Sequence, residues 1–243
     1  SCVITNEEGW YKKALDTDLA RPKFAIMNPE ITYTLPDYQT QCGCADIMMH
    51  TMERYFVLED TMEITDKIAQ DVMKNVMKYA KILKKDPENY EARAEIMWCG
   101  SLSHNGLTGC GTCGGDWATH LIEHELGGMF DVAHGAGLAA VWGSWARYVM
   151  DEKPERFAQF AVNVMGVKES EDVKSTALKG IEAVEDFYRM IEMPTNLKEL
   201  GIDPTDEQIK DMAMKATNHD TQQLGAFKKL SAKDLVEIYK AAK

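Results

Sequence analysis

Apolar residues along most of this chain recur at intervals of three and four, the spacing that turns one side of an α-helix toward a core. From Pro36 onward the pattern predicts helices over 37–57, 61–84, 89–103, 116–129, 134–150, 153–165, 171–191, 205–217 and 231–242. In the first, Ile47, Met48, Met52, Tyr55 and Phe56 mark the inner face, and Pro36 sits where an entry turn tolerates it. In the second the face is Met62, Ile64, Ile68, Val72, Val76 and Ala80, and Asp86-Pro87 ends it. Gly and Pro punctuate the array from Gly106 to Gly115, at Gly127-Gly128 and at Met193-Pro194. Residues 1–28 read differently: Val3-Ile4-Thr5 and Phe24-Ala25-Ile26-Met27 are short apolar runs bounded by Asn6, Pro22 and Pro29, as strands are. Two strands alone do not make a stable sheet. The chain is therefore expected to be mainly α, a multi-helix domain over 36–243, with one or two residual strands in residues 1–35. Those strands read as the tail of a domain whose body precedes Ser1.

Chemistry enters with spacing. Asp46 and His50 are four apart on the first predicted helix, so a carboxylate and an imidazole share one face. Alone, such a pair is more often a surface contact than a ligand pair. Three more histidines, His120, His124 and His134, fall within 15 residues, the first two on one helical face and the third opening the next helix. Imidazoles with a carboxylate and no obligatory thiolate suit Fe, Zn, Co or Ni.

Composition narrows the partners. A formal charge of −12 and a pI near 5.0 over 243 residues oppose nucleic acid and anionic membranes, which need clustered Lys and Arg. No stretch approaches the ~20 apolar residues of a membrane span, and Ser1 opens a polar segment unlike a signal peptide, so the chain is read as cytoplasmic. Six cysteines in a chain of this length read as reduced thiols.

Two motifs compete in the histidine region. His120-Leu-Ile-Glu123-His124 matches the H-x-x-E-H pattern of inverted zinc peptidases, in which the glutamate activates water, but it lacks a recognisable third ligand. Gly109-Cys-Gly111-Thr-Cys-Gly114 fits G-x-G-x-x-G, yet helix precedes it where a dinucleotide fingerprint needs a strand, so it reads as a loop beside the site. Cys110-x-x-Cys113 lacks a second pair and reads as two free thiols. A helical interaction module stabilised by a metal is a further reading.

Longer text carries a resemblance. Asn28-Pro-Glu-Ile-Thr-Tyr-Thr-Leu-Pro36 leads into Asp46-Ile-Met-Met-His50-x-x-Glu53-Arg-Tyr55. Asp116-Trp-Ala-Thr-His120 then runs through to His134-Gly-Ala-Gly137, followed by Leu138-Ala-Ala-Val-Trp142 and Asn218-His-Asp220. In these stretches the sequence resembles the iron-containing (group III) alcohol dehydrogenases, more narrowly the butanol dehydrogenase branch that uses NAD(P)H. The resemblance implies a dehydroquinate synthase-like all-helical metal domain, with residues 1–35 a remnant of the α/β dinucleotide-binding domain. It implies metal ligation by Asp46, His50, His120 and His134, Fe2+ in first place, and a catalytic His124 near the substrate and nicotinamide. Lys12 is implied at the cofactor ribose and Ile31 near the nicotinamide side. It further implies a small alcohol or aldehyde substrate and a homodimer.

Overall fold

The computed structural model of the chain describes residues 2–15, 17–59 and 63–243. Strands β1 (Cys2–Asn6) and β2 (Tyr11–Leu15) form an antiparallel hairpin, Cys2 opposite Leu15 and Asn6 opposite Tyr11. Its turn is set by the Asn6 side chain, which accepts from the Glu8 amide at 3.1 Å, and by left-handed backbone at Gly9 and Trp10. Nine α-helices follow among the described residues: α1 (Asp37–Tyr55), α2 (Glu63–Leu83), α3 (Tyr90–His104), α4 (Ala118–Phe130), α5 (His134–Val149), α6 (Pro154–Asn163), α7 (Val173–Met190), α8 (Asp206–Ala216) and α9 (Ala232–Ala241). The predicted helices are all present; Met62, expected in the second, lies outside the described residues.

Local chemistry sets the helix starts. Asn89 accepts from the Ala92 amide to open α3, Thr205 with Gln208 and Ser231 with Asp234 form capping boxes on α8 and α9, and Pro154 occupies the first turn of α6. Packing then orders them. Helix α1 runs through the middle against α2, α3 and α5, with Cys44, Ala45, Met48, Met49 and Met52 wholly buried. Beyond its end, Phe56 stacks on Phe157 at 4.3 Å beside Trp142, Trp145 and Phe160. Each such side chain contributes roughly 1.5–3 kcal/mol by leaving water.

Two expectations need correction. Phe24–Met27 is not a strand: no strand pairs with it among the described residues, and Phe24 and Ile26 are 78% and 83% exposed, so its apolar run reflects no sheet. The second strand is Tyr11–Leu15 instead. Nor do Gly127-Gly128 break the helix, for α4 runs through both and ends at Asp131 in left-handed backbone. Their missing side chains serve the hairpin. A Cβ on Gly128 would stand 2.7 Å from the Trp10 carbonyl oxygen, and one on Gly127 would meet the Lys12 ammonium. The hairpin thus lies directly on α4, fastened by Lys12–Glu123 and Lys13–Glu125, both 3.3 Å.

Candidate metal centre

Three helices bring the predicted donors together. Asp46 and His50 come from the middle of α1, His120 from the first turn of α4, and His134 opens α5. The approach of α5 to α1 depends on Gly135, where any Cβ would run into the Cys42 carbonyl. Gly137 makes room for Glu123, whose Cγ and Oε1 would crowd a Cβ at 2.8 and 2.9 Å. The His-Gly-Ala-Gly segment is therefore a packing device that sets an imidazole beside α1.

Asp46 is the hub. The Nε2 atoms of His50, His120 and His134 stand 3.6, 3.5 and 3.6 Å from its Oδ1. Two ligands each about 2.1 Å from a divalent ion, at a tetrahedral angle, lie about 3.4 Å apart. Asp46 Oδ1 and His120 Nε2 are buried without a hydrogen-bond partner among the described residues. Facing acceptor atoms left so are costly unless a cation joins them. On this test the residues fit a divalent ion.

The outer nitrogens of two imidazoles are held. Glu53 accepts from both the amide and Nδ1 of His120, at 3.0 and 3.1 Å, and Glu123 holds Nδ1 of His134 while also binding Lys12. Such bonds fix the tautomer and aim the inner nitrogen. Without an ion, burial would lower the basicity of His120, but the neighbouring Asp46 and Glu53 carboxylates outweigh it and raise its pKa to about 9. Burial pushes His50 down to about 2 and His124 to about 3, so both are neutral. The Asp46 carboxyl is also buried, yet the histidines around it hold it well below the usual carboxylate range.

The other predicted residues are placed as follows. The His124 ring is 5.6 Å from that of His134. Lys12 comes from β2, with its ammonium on Glu123, and Ile31 lies in a short 3-10 turn, 72% exposed. The loop after α3 does lie beside the site, since the Asp116 amide donates to the Glu53 carbonyl at 2.9 Å. Trp117, in left-handed backbone, closes one side, its ring 5.5 and 5.3 Å from those of His50 and His120. From the sequence, Glu53 has no assigned role, Glu123 has one only in the competing peptidase motif, and His104 does not stand out, although its Nε2 is 3.9 Å from Asp46 Oδ2.

All six cysteines are free, Cys2, Cys110 and Cys113 exposed and Cys42, Cys44 and Cys99 buried. Burial lifts Cys44 to about 12 and Cys99 to about 11. A thiol reagent at neutral pH should therefore modify Cys2, Cys110 and Cys113 of the native chain quickly, and the buried three only on unfolding; mass mapping of early adducts checks this.

A carboxylate and three imidazoles gathered from separate helices define a class: an all-helical domain with the donor set of a divalent-metal centre. The chain belongs to the Fe-containing alcohol dehydrogenase family, whose C-terminal family model matches residues 40–243. It is 34% identical over 239 residues to NADH-dependent butanol dehydrogenase A of Clostridium acetobutylicum, covering 98% of this chain and 61% of that protein. An NADPH-dependent aldehyde reductase of Escherichia coli is 32% identical over 242 residues, 99% of this chain and 61% of the relative. Among solved structures, NADH-dependent butanol dehydrogenase A from Thermotoga maritima superposes with a TM-score of 0.92 at 35% identity, over 99% of this chain and 61% of that one. The chain thus spans about three fifths of the length of these relatives. Among the described residues no helix is long and apolar enough to cross a membrane.

These findings give the peptidase reading no support. Glu123 is wholly buried between the His134 imidazole and the Lys12 ammonium, so its carboxylate is engaged rather than turned to a water.

Proposed function

We propose that Asp46, His50, His120 and His134 hold one divalent ion, Fe2+ in first place with Zn2+, Co2+ or Ni2+ as chemically acceptable occupants. On this reading the chain is the metal-binding half of an alcohol dehydrogenase or aldehyde reductase that moves hydride between NAD(P)H and a small alcohol or aldehyde. Residues 1–35 then belong to the cofactor-binding domain and 36–243 to the metal domain, in a cytoplasmic homodimer. The observation that carries it is the convergence of three Nε2 atoms on a single oxygen of Asp46. Family membership supports the reaction class.

When bound, the ion supplies a Lewis acid for the substrate oxygen and the nicotinamide supplies or takes the hydride. The rest falls to the chain. Glu53 and Glu123 keep the Nδ1 hydrogens of His120 and His134 outward, and Lys12 balances the charge of Glu123. Trp117 walls the site from the loop side. His124, kept neutral by burial, hands a proton between the substrate oxygen and solvent by accepting at one ring nitrogen as it donates at the other. Lys12 and Ile31 are assigned to the cofactor side.

The test is ion content and turnover in two variants. His120→Ala is expected to lose the ion, whereas His124→Ala keeps it and slows turnover by about 10²–10⁴ once the whole enzyme is assembled. Equal ion content in both variants would overturn the assignment.

Proton release gives an independent check. The metal-free chain carries a proton on His120 below about 9, and an incoming ion must displace it, whereas His50 and His124 are already neutral. Ion uptake near pH 7.5 should release about one proton, and apparent affinity should climb about tenfold per pH unit until it levels above about 9. Calorimetry in two buffers of different ionisation enthalpy reads both.

A further inference from the structure

A fourth imidazole faces Asp46. His104 ends α3, its Nε2 3.9 Å from Asp46 Oδ2 and its ring 3.7 Å from that of His50. Its Nδ1 lies 2.9 Å from the Gly100 carbonyl and 2.8 Å from Ser103 Oγ, which itself donates to Gly100 at 3.0 Å. A carbonyl only accepts, so Nδ1 carries the hydrogen and Nε2 keeps a lone pair aimed at the carboxylate. This is the arrangement of His120 and His134, with a backbone carbonyl in place of a glutamate. His104 is thus oriented as a ligand by its outer nitrogen. Two acceptors opposed across 3.9 Å repel one another unless a cation stands between them, and bonds of about 2.0–2.2 Å to each span that gap at an open angle.

We propose that Asp46 Oδ2 and His104 Nε2 form a second, outer site for a transition-metal dication, completed by water, with the Asp46 carboxylate bridging it to the inner site. Such a bridge sets two ions about 3.5–4 Å apart. The donor atoms of Asp46, His50 and His104 all lie within 4.8 Å of one another, so His50 also borders the outer position. The outer site binds more weakly. It offers fewer protein ligands, His104 is 45% exposed, and the Arg54 guanidinium, bonded to the His50 and Ser103 carbonyls, adds positive charge nearby. It therefore fills second.

The proposal rests on the inner-site reading only in sharing Asp46, and one titration separates them. Metal-stripped chain, with Cys110→Ser and Cys113→Ser to remove the exposed thiol pair, is dialysed against rising Co2+ and its bound cobalt counted. About two ions per chain are expected, falling to about one in His104→Ala and in His104→Gln, with the tighter step retained in both. About one ion in the parent overturns the outer site and leaves the inner one standing. About two in both His104 variants likewise overturns it. No bound cobalt at all overturns both sites.

Discussion

Asp46→Asn is expected to weaken divalent-ion binding by at least about a hundredfold while the chain still folds. The change is nearly isosteric and the residue lies mid-helix on α1, so packing around it is unchanged. What disappears is the anion on which His50, His120 and His134 converge at 3.5–3.6 Å. Loss of an outer partner of a metal-bound imidazole already weakens affinity by about 10–100-fold, and loss of a direct anionic ligand sits at or beyond the upper end. Circular dichroism would report an intact helical spectrum, and competition with a chelator the weakened binding. Parent-like affinity in Asp46→Asn would mean the ion is held elsewhere.

The largest loss of stability is expected for Arg156→Ala, about 3–5 kcal/mol. Arg156, on α6, is 4% exposed and bonds both oxygens of Asp66 at 2.6 and 2.7 Å. It also donates to the Tyr55 carbonyl at 2.9 and 2.7 Å and lies 3.7 Å from the Tyr55 ring. One guanidinium therefore satisfies the end of α1, neutralises a carboxylate on α2 and covers an aromatic face. Truncation strips Asp66 of its two-pronged partner in a buried setting, which is worse than removing the pair together. Urea unfolding should show the midpoint drop with little change in slope. Asp66→Asn combined with Arg156→Ala should lose less than the two single changes summed. Arg156→Lys should recover only part, since an ammonium cannot match the fork.

The helices were legible because each buries one stripe and opens on a local signal such as Asn89, Thr205 or Ser231. Of the two strands, Val3-Ile4-Thr5 was legible and lies within β1, whereas the second was not. Tyr11–Leu15 hides behind two lysines whose partners are carboxylates on α4, over a hundred residues away, and no periodicity reports that. Phe24–Met27 has the composition of a strand but pairs with no strand among the described residues. At the site, residues clustered in sequence stood out, His120, His124 and His134 above all. His104 did not, because its nearest chemistry is 58 residues away, where α3 ends against the middle of α1. The same holds for the roles of Glu53 and Glu123: a glutamate on a helix is ordinary until the fold sets an imidazole nitrogen against it.

Glu123 sits between a lysine from the amino-terminal hairpin and a histidine at the heart of the centre. Peeling the hairpin off would strand that carboxylate as a bare anion, which would then draw harder on the imidazole hydrogen and make the opposite nitrogen a stronger donor. Mechanical detachment at the periphery would thus be read out as electron density at the core, and the two parts of the polypeptide are wired together through a single acid.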